Sequence, residues 1–445
     1  MKIFKKIVLI VILLRNEIIA FCGKVAKQFH CSKNTCFSST DSRRPKQLYN
    51  IKPYKTQAFC CGLIATLILA NSVLANVPEI SESHDSSENE NLAYILIAGE
   101  SGRVLSELNA DEKRSPASLT KIMLLLLVSG EINSGRLSVT DEVIASSHAS
   151  SIGGSVIWLE AGESMSVSEL IKAVVISSAN DAAVALAEHI SGSEEAFVQL
   201  MNQKASALRM TSTNFANATG LDNPLHFTTA RDIALMSRAL MREENYTHFA
   251  EYALTRLCSV RAGTPKEAQL LNTNKLIGEY EGIEGLKTGT TDAAGYCLVA
   301  VATREELRLV SVVLGAKDEE DRLTKSQELL DYGFSEYEIF TPASGEDLSE
   351  VRLPVEKGII REIAVSEQPF KSIVIPKGRA GDVSYELYLP EEITAPIEAN
   401  QPVGIVSAIL DGEILQESYI IAEIEVARLT FGRVLVTMIR SFFGA

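Results

Sequence analysis

The sequence predicts an α+β fold in which a helical cluster packs with an antiparallel sheet, followed by a small all-β domain and a C-terminal amphipathic helix. Three observations support this prediction. Apolar runs with helical capping signals lie between two sets of strand-like runs. After about Phe340 the sequence changes to short alternating runs, which are typical of strands. The last twenty residues place their polar side chains on one narrow helical face.

Composition and charge place the chain among globular proteins. Its 445 residues are 46% hydrophobic and 22% charged, which leaves room for two or more domains. The net charge of -15 argues against a broad basic surface, so nucleic acid is not an expected partner. The sequence contains no nucleotide-binding loop and no internal repeat, and it indicates no cofactor and no metal.

The first 75 residues are predicted to be an N-terminal extension that ends in a signal peptide. Of two apolar segments, Ile7–Leu14 and Ala58–Ala70, the second follows two lysines and precedes Val73-Leu74-Ala75, which fits a cleavage site. The exported chain would then begin at Asn76. The first segment is too short to span ~30 Å of hydrocarbon. The extension is long for a signal peptide, and a translation start nearer Leu48 is the alternative.

After a polar, flexible leader at 76–91, residues 92–340 are predicted to form one α+β domain. It begins with a hairpin whose strands flank a polar turn. Helices follow, and two of them have capping signals at their N-termini. The hairpin strands are Ala93–Ala98 and Val104–Leu108, and the capping signals Ser166–Glu169 and Thr229–Asp232 precede the helical runs Leu170–Ile176 and Ile233–Met241. Cys258 and Cys297 are expected to be separate buried thiols, with a disulfide between them as the alternative.

Residues 341–426 are predicted to form the small β domain. Strand-like runs occur at 372–375, 383–389 and 404–410. Asp411-Gly412 is a strong signal for a tight hairpin turn, so the last of these runs should pair with 413–422.

Residues 427–445 are predicted to form an amphipathic helix. Its polar face consists of Arg433, Thr437, Arg440, Ser441 and Gly444, and the remaining surface is apolar and partly aromatic. A helix of this kind can lie in a membrane interface. A helix that docks on the β domain is the alternative.

Three short motifs, Ser118-Leu119-Thr120-Lys121, Ser178-Ala179-Asn180 and Lys287-Thr288-Gly289, together indicate a serine acyl-transfer site. The first precedes the apolar run Ile122–Val128 and should be the opening turn of a buried helix. The third should open a strand over Thr290–Thr303. Each motif alone has an ordinary structural explanation: a helix cap, a helix-ending turn and a solvated strand start.

Acyl transfer needs a nucleophile, a base, oxyanion donors and a clamp on the substrate. Ser118 and Lys121 are one helical turn apart, so the amine can reach the hydroxyl. Lys121 can act as a base only if it is neutral, and burial beside Lys287 would lower its pKa. The free N–H groups of a helix N-terminus favour an oxyanion at Ser118. Ser178 could relay a proton, and Asn180 could position Lys121 or bind the substrate amide.

The third motif suits a substrate that ends in a carboxylate. Lys287 supplies a cation, Thr288 and Thr290 supply hydroxyls, and Gly289 allows a ligand to approach the backbone. An extended peptide could pair with this strand edge while these side chains hold its terminus.

With these residues the chain resembles the low-molecular-mass penicillin-binding proteins of the D-alanyl-D-alanine carboxypeptidase type. The resemblance runs from about Leu92 to the C-terminus. It implies a β-lactamase/transpeptidase-like fold for residues 92–340. The segments that carry it are Pro116–Lys121, Gly153-Gly154-Ser155, Ser178–Ala182, Asn272-Thr273-Asn274 and Gly285–Tyr296.

The resemblance also implies roles for individual residues. Ser118 would form the acyl-enzyme and Lys121 would accept its proton, with Ser178 and Asn180 completing the proton network. Lys287 would bind the substrate carboxylate, with Arg322 adding charge nearby. The backbone N–H groups of Ser118 and Thr290 would form the oxyanion hole. Ala179 stands where many relatives have Gly or Asp, a small change that should not disturb Ser178 and Asn180. Thr290 replaces the bulkier side chain of some relatives, which bears on substrate preference and deacylation.

The function implied is removal of the terminal D-alanine from peptidoglycan stem peptides through an acyl-serine intermediate, at the outer face of the cytoplasmic membrane. β-Lactams would be covalent inhibitors, and the terminal helix would bind the membrane surface. Three alternatives are a β-lactamase, a metallopeptidase and a wall-binding protein with a retired site. A β-lactamase needs a water-activating carboxylate, and the sequence has no Glu-x-x-Leu-Asn-like segment between Ser178 and Lys287 to supply one. For the metallopeptidase, His148, His189, His226 and His248 lack ligand spacing and are expected to be surface or capping residues.

Overall fold

The centre of the fold is a five-stranded antiparallel sheet covered by helices. The structure is a computed structural model that describes residues 91–343, 348–432 and 436. The strands before the β-rich C-terminal region are β1 (Ala93–Ala98), β2 (Val104–Leu108), β3 (Glu142–Ile144), β4 (Ser164–Ser166), β5 (Leu257–Val260), β6 (Ala268–Leu271), β7 (Ile283–Thr291), β8 (Gly295–Arg304), β9 (Leu307–Ala316) and β10 (Tyr337–Phe340). The helices are α1 (Lys121–Asn133), α2 (Ser147–Ser151), α3 (Val167–Ile176), α4 (Asn180–Ser191), α5 (Glu194–Ala207), α6 (Ala230–Leu240), α7 (Glu243–Tyr246), α8 (Ala250–Leu254) and α9 (Glu319–Glu336).

The main sheet has the strand order β2-β1-β9-β8-β7. The predicted hairpin of β1 and β2 is confirmed, and Tyr94 lies opposite Leu108. Side chains alternate between two apolar layers, as the pleat requires. Val299 and Val301 face the helical cluster, whereas Leu298 and Ala300 face the layer that contains α9. The central strands are therefore buried on both faces, which positions β7 rigidly at one edge.

Helix α1 runs through the helical cluster. Its residues Ile122–Leu126 and Val128 are buried, and a helix that is apolar on every side can be stable only inside the protein. Both predicted capping signals are confirmed. Ser166 Oγ accepts from the Glu169 N–H at the start of α3, and Thr229 Oγ1 accepts from the Asp232 N–H at the start of α6.

The predicted strand over Thr290–Thr303 is wrong. The third motif lies inside β7, and a turn at 292–294 separates β7 from β8, in which Thr291 pairs with Gly295. The prediction extends the Thr/Ala/Val-rich composition across residues 292–294, where the chain turns before Gly295.

The β-rich C-terminal domain contains the strands β11 (Arg352–Glu356), β12 (Glu362–Glu367), β13 (Ile373–Pro376), β14 (Ser384–Tyr388), β15 (Ile393–Thr394), β16 (Pro402–Leu410) and β17 (Glu413–Ala422). Six of them form a sheet in the order β14-β16-β17-β12-β11-β15. The Asp411-Gly412 hairpin is confirmed: both residues have positive φ angles, and Leu410 pairs with Glu413. The predicted run at 372–375 forms a strand, but it pairs with β10 rather than joining the sheet.

Several predicted features lie outside the described residues. These are the N-terminal extension, the signal peptide, the leader apart from its last residue, and nearly all of the terminal helix. Residues 427–430 are not helical, and Arg428 forms an isolated β-bridge with Gly358, whereas Phe431 and Gly432 are helical. Among the described residues, no helix is long and apolar enough to cross a membrane. Cys297 is buried and Cys258 is half-buried, and both thiols are free, as expected.

Candidate active site

Ser118 and Lys121 lie at the junction of a 3₁₀ turn, Ala117–Thr120, and helix α1. The amine Nζ of Lys121 is 3.0 Å from Ser118 Oγ, which confirms that one helical turn brings the two side chains together. Ala117 has a positive φ of 46°, a conformation that is strained for any residue with a Cβ. The backbone before Ser118 is therefore held by its surroundings rather than by local preference.

Lys121 is fully buried and surrounded by acceptors. Besides Ser118, its Nζ contacts Asn180 Oδ1 and the backbone oxygen of Thr219, both at 2.7 Å. Burial, and secondly the charge of Lys287, lower the pKa of Lys121 well below its usual value, and Asp181 opposes this shift. The site thus favours the neutral amine that a general base requires.

The second motif forms the turn between α3 and α4. Ser178 has a φ of 62°, and its Oγ is buried without a hydrogen-bond partner among the described residues. Asn180 begins α4, where its side chain links Lys121 to the oxygen of Gly153, 2.8 Å from Nδ2. The structure therefore joins Asn180 to Lys121 and leaves the Ser178 hydroxyl unpaired, with no hydrogen bond to either.

Asp181 holds the loop that faces the second motif. Its buried carboxylate accepts hydrogen bonds from the backbone N–H groups of Ile157 and Leu159, at 3.0–3.1 Å. The oxygen of Ser155 accepts from the Asn180 N–H at 2.7 Å. This loop carries the Gly153-Gly154-Ser155 segment, so Asp181 fixes one wall of the site.

The third motif lies on β7, at the edge of the main sheet. Lys287 is buried, and its Nζ donates to the oxygen of Thr288 at 3.0 Å. Burial, and secondly the charge of Arg322, lower the pKa of Lys287 to about 7. Thr288 Oγ1 donates to Thr273 Oγ1 at 2.7 Å, which fixes its orientation.

Arg322 reaches this strand from α9. Its Nη1 donates to Thr290 Oγ1 at 3.1 Å and lies 3.4 Å from the oxygen of Gly289, while Nη2 donates to Glu319 at 3.1 Å. Its Nε is buried and has no partner among the described residues. The sequence expectation of a cation beside the third motif is consistent with these contacts.

Two glycines allow other segments to approach the turn that carries Ser118. A Cβ on Gly289 would lie 3.1 Å from the Ser118 nitrogen and 3.0 Å from Ala117 Cβ. A Cβ on Gly220 would lie 1.8 Å from the oxygen of Ala117, and Gly220 also has a φ of 89°. Backbone atoms of β7 and of the turn at 217–221 therefore touch the turn that carries Ser118.

A buried network of hydrogen bonds behind Ser118 was not predicted. Thr120 Oγ1 donates to the oxygen of Ala117 at 2.8 Å, so it accepts from His226 Nε2 at 2.9 Å. His226 Nδ1 then accepts from the Ala216 N–H at 3.4 Å. The expectation of a surface or capping position is wrong for His226, because the neutral ring is buried, and burial lowers its pKa to about 4.

Asn217 supports Lys121 in the same indirect way. Its Oδ1 accepts from the N–H groups of Thr219 and Gly220, at 3.2 and 2.7 Å. These bonds hold the turn whose Thr219 oxygen faces Lys121. The sequence does contain a signal for this role, since asparagine followed by glycine within three residues is typical of such turns.

Within the described residues, none of the other histidines forms a hydrogen bond to the three motifs. His148 is exposed and contacts Glu194 at 2.7 Å, and His248 contacts Asn133 at 2.6 Å. Within the described ranges, no group of three His, Cys, Asp or Glu side chains could hold a metal ion.

Two family models match the chain. The model for D-alanyl-D-alanine carboxypeptidase matches residues 80–318, and the model for the C-terminal domain of penicillin-binding protein 5 matches residues 346–428. The first match contains all three motifs, and the second corresponds to the β-rich C-terminal region.

Individual proteins are similar over most of their length. The D-alanyl-D-alanine carboxypeptidase DacF of Bacillus subtilis is 38% identical over 375 residues, which is 83% of this chain and 95% of that protein. DacC of Escherichia coli is 39% identical, over 73% of this chain and 81% of its own length. The crystal structure of penicillin-binding protein 5 from Haemophilus influenzae is similar with a TM-score of 0.66 and 32% identity, covering 76% of this chain and 97% of that one.

Proposed function

Because this chain belongs to the D-alanyl-D-alanine carboxypeptidase family and is a serine-type penicillin-binding enzyme that acts on peptidoglycan, we propose that Ser118 is its nucleophile and Lys121 its general base. The observation that carries this proposal is the set of contacts around Lys121. A neutral amine has two N–H groups and one lone pair. Asn180 and Thr219 can accept the two N–H groups, which leaves the lone pair for the Ser118 hydroxyl.

Acylation then follows directly. Ser118 Oγ attacks the carbonyl carbon of the penultimate D-alanine, and the hydroxyl proton passes to Lys121 Nζ. The C–N bond to the terminal D-alanine breaks when its nitrogen receives this proton, for which the unpaired Ser178 hydroxyl offers a route. The backbone N–H groups of Ser118 and Thr290 would stabilise the oxyanion, and the close approach of Gly289 to Ser118 supports this pairing.

The substrate carboxylate would bind at the third motif. Lys287 and Arg322 supply positive charge. The hydroxyls of Thr288 and Thr290 donate to Thr273 Oγ1 and to the Gly289 oxygen, so each would have to turn from that acceptor to donate to a bound carboxylate. Lys287 donates only one hydrogen bond within the described residues, to a backbone oxygen, so its other N–H groups are available to a ligand. A bound carboxylate would raise the pKa of Lys287 from about 7 and so stabilise its charged form.

Deacylation repeats the proton transfer with water as the nucleophile. Water attacks the ester carbonyl and gives a proton to Lys121, and Ser118 Oγ leaves and takes a proton back. In a β-lactam, by contrast, the departing nitrogen stays tethered to the acyl group and remains in the site. We therefore expect β-lactams to form a long-lived ester on Ser118, and D-alanine-terminated stem peptides to be turned over.

The proposed location is the outer face of the cytoplasmic membrane. The sequence supports it through a predicted signal peptide at the N-terminus and a predicted amphipathic helix at 427–445. Stem peptides of peptidoglycan would be the substrates there, with the membrane surface as a second partner.

The proposal is tested by intact-mass analysis of the exported protein after incubation with benzylpenicillin, followed by peptide mapping. We expect one adduct on the peptide that contains Ser118. Ser118→Ala should abolish both the adduct and D-alanine release from a soluble pentapeptide while the circular dichroism spectrum is unchanged. The matched control Ser335→Ala removes an exposed serine on α9 and should behave as wild type. Retained D-alanine release by Ser118→Ala would refute the assignment, and rapid penicillin turnover would indicate a β-lactamase.

A further inference from the structure

Two segments of the β-rich domain lie side by side where the described chain ends. Gly358 and Arg428 form a β-bridge, the Ile359 N–H donates to the Ala427 oxygen at 3.1 Å, and the Leu429 N–H donates to the Lys357 oxygen at 2.7 Å. We call the two segments, 357–361 and 427–431, the basic tip. The hydrogen bonds fix the tip as a unit on the surface of the domain.

The tip exposes large apolar side chains. Ile359 is 47% exposed, Ile360 37%, Leu429 46% and Phe431 83%. Scattered exposed apolar residues are ordinary, but four within two hydrogen-bonded segments form a patch, and patches of this kind mark contact surfaces.

The charge of the tip differs from that of the protein as a whole. Its two segments contain Lys357, Arg361 and Arg428 and no carboxylate, whereas the chain has a net charge of -15. Glu356 pairs with Lys357 at 3.1 Å, which lowers the pKa of this carboxyl, and the nearby charge of Arg428 lowers it further. Glu362 and Glu425 flank the segments in sequence, so the positive charge of the tip is partly offset. Exposed apolar side chains between cationic ones match the chemistry of an anionic lipid surface, where acyl chains lie beneath negative headgroups.

Chain continuity identifies the same partner. The chain leaves the tip at Phe431 and continues into residues 433–445, which contain Arg433 and Arg440 and no acidic residue. If that segment lies in a membrane interface, the tip is only a few residues from the same interface. We propose that the basic tip is a second membrane-contacting element, which binds anionic lipid headgroups through its cations and inserts Ile359 and Ile360. This proposal rests on the proposed location of the enzyme at the membrane.

The first experiment measures binding of the exported protein to vesicles of phosphatidylglycerol and phosphatidylcholine by co-sedimentation. Ile359→Asp with Ile360→Asp should weaken binding at least about tenfold, because two apolar side chains leave the interface and two anions replace them. The matched control, Ile144→Asp with Ile414→Asp, changes two isoleucines that are 69% and 54% exposed elsewhere on the protein. It should bind within about twofold of wild type. Binding by the tip variant equal to that of the control, together with an unquenched reporter in the second measurement, would overturn the proposal.

A second measurement keeps the test valid if the terminal segment dominates the affinity. The chain has one tryptophan, so Trp158→Phe provides a background for a single reporter. Ile360→Trp in that background should be quenched by brominated lipids, and Ile414→Trp should not. If the tryptophan fluorescence of Ile360→Trp is not quenched, insertion of the tip is refuted. A blue shift of this fluorescence that appears without vesicles as the protein concentration rises would also refute it, because another copy of the chain would then cover the tip. D-alanine release from a soluble peptide should equal that of wild type in the aspartate variants and that of Trp158→Phe in the tryptophan variants, so a failure of the tip is separate from a failure of the enzymatic assignment.

Discussion

Replacing Thr120 by valine should slow acylation although Thr120 need not touch the substrate. Valine has nearly the same shape but no hydroxyl, so the change leaves two buried groups unpaired: the oxygen of Ala117 and the Nε2–H of His226. Each unpaired group costs about 1–3 kcal/mol. The unfolding free energy should therefore fall by about 2–6 kcal/mol. The Ala117 conformation that precedes Ser118 also loses the bond that helps to hold it.

The effect on the reaction follows from the displacement of Ser118. Misplacing a reacting group by 1 Å can cost about 10²-fold in rate, so a shift of a few tenths of an ångström should cost about tenfold. The assay is the second-order rate constant of acylation by a fluorescent penicillin, measured beside urea unfolding. Thr120→Ser, which keeps the hydroxyl, is the control and should acylate within about threefold of wild type. If Thr120→Val is destabilised as expected but acylates as fast as Thr120→Ser, the network does not position Ser118.

Three further predictions concern the third motif and the glycine contacts. The pKa of Lys287 is about 7, so its charged form, and with it carboxylate binding, should decline as the pH rises through 7. The pH profile of kcat/KM for D-alanine release should show this decline. Lys287→Arg stays charged and should remove the decline from the profile. Gly220→Ala should lower the unfolding free energy by more than about 3 kcal/mol or prevent folding, because its Cβ would lie 1.8 Å from a backbone oxygen. Urea unfolding measures the change in free energy, and a decrease below about 1 kcal/mol would contradict the prediction. Gly289→Ala meets contacts of 3.0–3.2 Å, so it should fold normally and lose about tenfold in the acylation rate constant; an unchanged rate would mean that the backbone at Ser118 adjusts freely.

Local sequence signals predicted those parts of the fold that depend on neighbouring residues. Ser166 and Thr229 cap helices because their side chains reach N–H groups three residues later, and Asp411-Gly412 forms a hairpin because both residues accept positive φ. The spacing of Ser118 and Lys121 likewise sets their contact within one helical turn. In each case the interaction lies within a few residues of the pattern that predicts it.

The features that were missed depend on contacts between distant segments. His226 is 106 residues from Thr120, and β13 pairs with β10 across more than thirty residues. Nothing in the sequence around His226 distinguishes a buried partner of Thr120 from a surface histidine. The end of β7 was missed for a different reason, because the turn at 292–294 interrupts a composition that suits a strand on both sides.

Two buried lysines lie in one site, and their hydrogen bonds indicate why they can have different roles. Burial is the first cause of the lowered pKa of both, so the charge of a neighbour is not what separates them. The neutral amine of Lys121 can donate its two N–H groups to Asn180 Oδ1 and the Thr219 oxygen and keep its lone pair for the Ser118 hydroxyl. It can therefore take a proton from Ser118 but has no N–H left for a ligand. Lys287 faces one backbone oxygen and keeps donors for an anion. The arrangement of acceptors therefore suits Lys121 to accept a proton and Lys287 to bind the substrate carboxylate.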